Sequence, residues 1–166
     1  MILLSLNHYN KLKGYDLLSY KVISYLIENN EDIWKMLKYN TPDALSKSNL
    51  TQEEKASLIY SGETDSEPFK VFRDPFTDDV FTEQVCQLRI FPNSTYPENR
   101  IMSIQDICIQ IVCHVKINYL DDYVIRLDRI IYELINTLNG SDIGTVGQFY
   151  FDRERSRSNN IMRGIS

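Results

Sequence analysis

A chain of 166 residues with 43% hydrophobic side chains is one domain with enough apolar surface for a real core. No apolar run reaches the roughly 18 to 20 residues of a membrane span, and the apolar start Met1–Leu6 lacks the basic flank and cleavage site of a signal peptide. A formal net charge of −5 argues against a general nucleic-acid binder, although Arg153, Arg155, Arg157 and Arg163 make the C-terminus locally basic.

In chain order, Leu12 to Glu28 carries Leu17, Leu18, Val22, Tyr25 and Leu26 on one stripe, which predicts a helix. Asn30 is placed to cap a second short helix, with Glu31 and Asp32 in its first turn and Ile33, Trp34, Met36 and Leu37 as its apolar face. Pro42 ends it. Thr51 and Glu54 fit a capping box that opens a third helix, Thr51 to Tyr60. Ser61 to Pro68 has acids and turn formers and no apolar residue, so it reads as a loop or hinge. Phe69 to Phe81 is dense in aromatics and broken by Pro75, so it reads as an extended arm.

Gln84 to Phe91 alternates as a strand, with Cys86, Leu88 and Ile90 on one face and Val85, Gln87, Arg89 and Phe91 on the other. Pro92 to Asn99 reads as a loop. The stretch from Ile104 to Gly140 organises the chain. Ile107, Ile109, Ile111, Cys113, Val115 and Ile117 fall on every second residue, which predicts a long strand with that set facing the core. After an acidic bend, with Asp121 or Asp122 as cap, Val124, Leu127, Ile130, Ile131, Leu134, Ile135 and Leu138 recur at helical spacing up to a stop at Asn139-Gly140. Val146 to Phe151 and Asn159 to Ile165 predict two further short strands. The expected fold class is α+β. A small antiparallel sheet of about three or four strands is packed by a long helix, with N-terminal helices and an extended arm. The expected parts are residues 1–61 (helical), 62–83 (acidic loop and aromatic arm), 84–152 (strand-strand-helix-strand core) and 153–166 (basic loop or short strand).

Chemistry is sparse. Three cysteines are an odd number without C-x-x-C spacing, which suits reduced thiols. Cys108 and Cys113 point to opposite faces of one strand, and Cys86 meets Cys113 or Cys108 only across strands. His8 and His114 are the only histidines, and His114 lies roughly 20 Å along the strand from Cys108. No metal site is expected. There is no G-x-S-x-G, and Gly140, Gly144 and Gly147 follow a helix rather than open one, the wrong order for a phosphate loop. Neither a catalytic set nor a cofactor site is expected. Arg153, Arg155 and Arg157 read either as a solvated loop or as a contact to an acidic neighbouring subunit. Eleven tyrosines suit protein interfaces and ordinary cores alike.

Three stretches carry a resemblance: NNEDIWKMLKYNTPDALSKSNLTQEEK from Asn29 to Lys55, the strand pair QVCQLRIFPNS and DICIQIVCHV, and DDYVIRLDRIIYELINTLNG followed by IGTVGQFYF. With the order of elements, they resemble the neck and tail-completion proteins of tailed bacteriophages, the tail terminators and head–tail joining proteins, including those of crAss-like phages. The resemblance covers about Asn29 to Phe151. It implies a non-enzymatic virion protein, made in the host bacterial cytoplasm. Such proteins form homo-oligomeric rings of six or twelve copies between portal and tail, and line the channel through which genomic DNA passes without sequence-specific binding. Portal, neck or tail proteins would be its neighbours. Phe69, Phe72, Phe76 and Phe81 are then candidate interface anchors, with Arg153, Arg155 and Arg157, although the same phenylalanines can equally cap the monomer's own core.

Two other classes stay open. A monomeric or dimeric adaptor would bind one partner through Tyr-rich helices. A small metal-dependent nuclease would use Asp106, Asp121 and Asp122 with Mg²⁺.

Overall fold

The computed structural model describes residues 17–62, 69–75, 84–97, 103–143 and 148–151, and of residues 94–97 and 103–105 the backbone. The fold is α+β. Helix α1 spans Leu18–Asn29, α2 Asp32–Lys38, α3 Gln52–Ser57 and α4 Arg126–Leu138. Strand β1 is Val71–Phe72, β2 Cys86–Pro97 and β3 Ser103–Cys113, with short 3₁₀ turns at Ala44–Ser46 and Val115–Ile117. The sheet runs in the order β1-β2-β3. Helices α1 and α2 pack on β2, and α4 packs on β3 and α2.

The core forms where the two periodicities meet. Cys86, Leu88 and Ile90 are fully buried on the inner face of β2, with Ile107, Ile109, Ile111 and Cys113 of β3 packed beside them. Val22, Leu26, Ile33, Trp34, Leu37 and Ile130 close the core from the helices. The expected inward face of the strand pair is therefore the observed one.

Several expectations need correction. The sheet is mixed rather than wholly antiparallel: β1 pairs parallel to β2, Val71 opposite Leu88 and Phe72 opposite Arg89. That strand comes from the stretch expected to be a free arm. It is held from both sides, since Leu58 O accepts from Val71 N (3.0 Å) and Lys70 O accepts from Leu88 N (2.7 Å). The predicted third helix accordingly stops at Ser57, and Ile59 bridges to Val71.

The loop expected from Pro92 is strand as far as Pro97. Even-numbered residues of β2 point their N–H groups toward the β1 side, as Leu88 does, so Pro92 removes no bond to β3. The register shifts between Pro92 and Ser94, which marks Asn93 as the extra residue of a bulge. At the other end, β3 stops at Cys113. The last rung is His114 N to Val85 O at 3.1 Å, and the His114 ring accepts from Lys116 N at 3.2 Å to open the 3₁₀ turn. Val115 is therefore exposed and only Ile117 turns inward.

Val146 to Phe151 does not form a sheet strand in its described part. Gln148 bridges Asp142, and Phe149 pairs with Gly140 and Ser141 beyond α4. Gly140, at φ +78°, makes the turn that the helix stop predicted. The N-terminal helix is described from Leu18 onward. The predicted strand Asn159 to Ile165, the acidic segment Glu63 to Glu67 and the pair Asp78-Asp79 lie outside the described residues.

Three buried polar clusters join the helices. Asn30 Oδ1 caps α2 by accepting from Ile33 N (2.9 Å), and its amide donates to Glu133 Oε2 (3.1 Å) and Thr137 Oγ1 (2.8 Å) on α4. Lys55, buried under α1, donates to Ile27 O (2.9 Å) and Glu31 Oε2 (2.6 Å), while Glu31 Oε1 accepts from Leu50 N (2.6 Å).

The third cluster is Arg126. Its side chain is fully buried and donates four bonds to backbone carbonyls: Nε to Ile117 O (2.8 Å), Nη1 to Met36 O and Tyr39 O (both 2.7 Å), and Nη2 to Thr41 O (2.8 Å). Met36 is in the last turn of α2, where carbonyls lack helical partners and carry the negative end of the helix dipole. The cation is thus stabilised by oriented carbonyls. Burial lowers its pKa from the usual guanidinium value, but guanidinium stays protonated in practice.

Arg126→Met is expected to cost about 3 kcal/mol or more, since it strands several carbonyls that a charged donor serves. Arg126→Lys should fall between the two, because one ammonium cannot span the fork. Urea denaturation measures both, and a loss under about 1 kcal/mol for Met would remove Arg126 from this role.

The capping box is present, with Thr51 Oγ1 accepting from Glu54 N (3.2 Å) and Glu54 Oε2 accepting from Thr51 N (2.9 Å). The Lys38 ammonium at 2.5 Å, then the Thr51 N–H, hold the Glu54 carboxyl below the usual carboxylate range. A depressed folded-state pKa stabilises above the unfolded value of about 4.3 and is lost as pH falls through the folded value. The stability difference between the protein and Glu54→Gln should therefore shrink from pH 6 to pH 3. A difference independent of pH would contradict the ion pair.

Candidate functional site

The most distinctive surface is the loop Asn118–Ile125, which enters α4. Residues Tyr119, Tyr123, Val124 and Ile125 are exposed at 63%, 94%, 36% and 37%, and Val115 beside them at 56%. Asp121 and Asp122 are exposed in the same loop. Tyr123, Val124 and Ile125 thus form an exposed apolar run at the entry to α4, with Tyr119 exposed on the other side of the two aspartates.

The loop is ordered by backbone bonds. Tyr119 bridges Ile125, Leu120 N donates to Val124 O (3.0 Å), and Tyr123 N donates to Leu120 O (3.2 Å). Asp122 Oδ1 accepts from Val124 N at 3.1 Å, an Asx turn. These bonds hold Tyr123 at φ +63°, the left-handed region that a non-glycine residue enters at a cost of about 1–2 kcal/mol. The strain places an almost fully exposed ring at the loop tip.

Neither Asp121 nor Asp122 caps α4, contrary to expectation. The buried Asn118 does so from nine residues back, its carbonyl accepting from Arg126 N (2.7 Å) and its Oδ1 from Leu127 N (3.1 Å). Asp121 N donates to Pro42 O at 3.1 Å, one residue from the Thr41 carbonyl that Arg126 holds. The loop is thus mounted on the Arg126 cluster.

A second feature lies past the other end of α4. Tyr20, Lys21, Ser24, Tyr25 and Glu28 of α1, with Asp142 and Ile143, line a shallow open groove of about 420 Å³. The 13 residues of α4 separate loop from groove by about 20 Å of helix.

Of the candidate interface residues, Phe69 and Phe72 are half-buried in one aromatic cluster. Tyr60 meets Phe69 edge-on at 5.2 Å and Phe72 at 5.6 Å, and the Arg89 guanidinium sits 4.3 Å from the Phe72 ring centre. The cluster thus packs on Arg89, on the outer face of β2, where Gln87, Arg89 and Phe91 are half-buried. Phe76, Phe81, Arg153, Arg155 and Arg157 lie outside the described residues. Among the described residues, no three His, Cys, Asp or Glu side chains converge as a metal site, so Asp106, Asp121 and Asp122 do not meet. None of the described helices is long and apolar enough to cross a membrane.

The sequence reads as an acidic bend over Asn118 to Asp122 followed by the helix from Val124, and neither period marks Tyr119 or Tyr123 as exposed. The available signal was the break in apolar spacing between Ile117 and Leu127, around Tyr119 and Tyr123.

The fold defines a small α+β domain with a mixed three-stranded sheet, and the loop exposes tyrosine and aliphatic side chains at the entry to α4. Its family is YomW: the family model matches residues 30–165, and the chain belongs to it. That name is of the type given to proteins of the Bacillus phage SPBc2. No curated protein and no solved structure matches the chain.

Tyr123→Gly should leave the fold intact or stabilise it by up to about 1 kcal/mol, because glycine relieves the positive φ and the lost ring is solvent-exposed. A thermal melt measures this. A clear destabilisation would mean that the ring packs within the monomer.

Proposed function

We propose that this protein is a structural subunit of a tailed-phage virion, a ring protein of the neck or tail whose copies associate head to tail around the DNA channel. The supporting observation is the strained, almost fully exposed Tyr123 on a loop fixed to the buried core. The knob and the tyrosine-lined groove sit toward opposite ends of α4, which suits a heterologous contact: the Tyr123 loop of one copy enters the Tyr20–Tyr25 groove of the next. Repeated, such a contact closes into a ring when its rotation divides the circle. The phage-type family name and the resemblance to neck and tail-completion proteins support the same reading.

In this reading the protein is not an enzyme, and its partners are its own copies and the portal, neck or tail proteins above and below. Its negative net charge suits a channel that lets DNA slide. Phe76, Phe81, Arg153, Arg155 and Arg157 remain candidate contacts of the same assembly, whereas Phe69 and Phe72 serve the monomer's own cluster.

Native mass spectrometry of the full chain over a range of concentration is expected to give closed species of six or twelve copies. Tyr123→Gly, which spares the fold, and Tyr20→Ser should each reduce the assembled fraction at least tenfold. A species fixed at monomer or dimer, alone and with purified portal or tail proteins, would overturn the ring and favour an adaptor.

A further inference from the structure

Cys86 and Cys113 are direct partners across β2 and β3. Their neighbours Val85 and His114 make the flanking ladder bond at 3.1 Å, so the cysteine pair occupies the non-hydrogen-bonded position. At that position Cα atoms stand about 4.5 Å apart, within the range a disulfide spans. Both side chains point into the core. The two thiols are not equivalent. Cys86 is fully buried, whereas Cys113 is half-buried and reaches solvent.

We propose that Cys86 and Cys113 are an oxidisable dithiol that closes to a cross-strand disulfide, with Cys113 as the attacking thiol and Cys86 as the resolving one. The trigger rests on the virion reading, since particles leave the reducing cytosol at lysis for a medium where disulfides persist; the chemistry does not. The neighbouring Cys86 thiol, followed by the field of the Arg126 cation, lowers the pKa of Cys113. The neighbouring Cys113 sulfur, followed by burial, raises the pKa of Cys86. In the thiol form Cys113 makes only a weak 3.8 Å contact to the His114 carbonyl.

With a small disulfide as oxidant, the Cys113 thiolate attacks one sulfur, and the other leaves as a thiolate. Cys86 then attacks the Cys113 sulfur and passes its proton to the second thiolate as that group is expelled, which leaves as a thiol. The protein loses two protons and two electrons, and the oxidant is reduced to two thiols. The new bond ties β2 to β3 at the root of the hairpin, next to the Arg126 cluster.

Cys108 is the internal control. It lies on the opposite face of β3, pairs with Phe91, and its thiol is pushed up by burial. The full chain is incubated with oxidised glutathione, quenched by alkylation and mapped by mass spectrometry. Expected is a Cys86–Cys113 crosslink with Cys108 alkylated, Cys113 reacting at least about tenfold faster than Cys108, and a rate that rises with pH up to the ordinary thiol range. Cys86→Ser, with Cys86→Ala as the better-packed substitute, should stop at a glutathione adduct on Cys113. The pair is refuted by a wild-type chain that ends as that adduct, by Cys108 reacting first, or by three intact thiols. None of these results depends on the mass measurement that tests the ring.

Discussion

One fully buried cation, Arg126, joins three segments of the fold. Arg126 begins α4, yet its side chain leaves the helix and takes carbonyls from the end of α2, from the chain after it, and from the turn after β3. No carboxylate is among these partners. A buried ion with no counter-charge is costly unless its donors are used, and here four are. The arrangement gains from the helix dipole, because Met36 and Tyr39 offer oxygens that α2 itself cannot satisfy. Removing the arginine would therefore act in two opposed ways: the cation's desolvation cost disappears, but the carbonyls remain buried without donors, and the second effect dominates.

The other polar clusters work on the same plan. Asn30 serves α2 with its oxygen and α4 with its amide, and Lys55 closes the end of α1 while pairing with Glu31. Each element here is short; α2 has 7 residues and α3 has 6. Helices of this length are unstable alone, and their stability has to come from tertiary contacts. Side chains that satisfy helix ends across elements supply the direction that apolar packing lacks.

What the sequence could reveal was what is local. The inward set Cys86, Leu88, Ile90, the outward alternation, the Thr51–Glu54 box, the Asn30 cap and the Gly140 stop each depend on residues within a few positions of one another, and each stands in the structure. Distant pairings were not legible. The parallel strand Val71–Phe72 exists because Leu58 and Leu88 bracket it, and nothing within Phe69 to Phe81 encodes that. Arg126, read along its own helix, looks like an ordinary solvated arginine. Asn118 caps across nine residues, where proximity favoured Asp121 or Asp122. The bend at Asn118 to Asp122 was legible, but the exposure of Tyr119 and Tyr123 depends on the Pro42 and Arg126 contacts that mount the loop, which are distant in sequence.

The Arg126 cluster also bears on how the surface would act. Binding by a mobile loop loses energy to ordering, about 0.5–1.5 kcal/mol for each immobilised side chain. The loop carrying Tyr123 has met that cost in advance: its backbone is tied at Leu120, Val124, Asp121 and Arg126, and the left-handed turn is held by the Asp122 carboxylate. The stored strain is small beside the fold's stability, but it fixes where the ring points. A tyrosine presented this way can fill a neighbour's groove with little rearrangement of its own chain. In the proposed ring, assembly affinity and monomer stability would be linked through Arg126, which is buried within the monomer. Loosening the cluster should weaken assembly before it unfolds the domain, because the loop is the part of the cluster with least buried apolar surface to hold it.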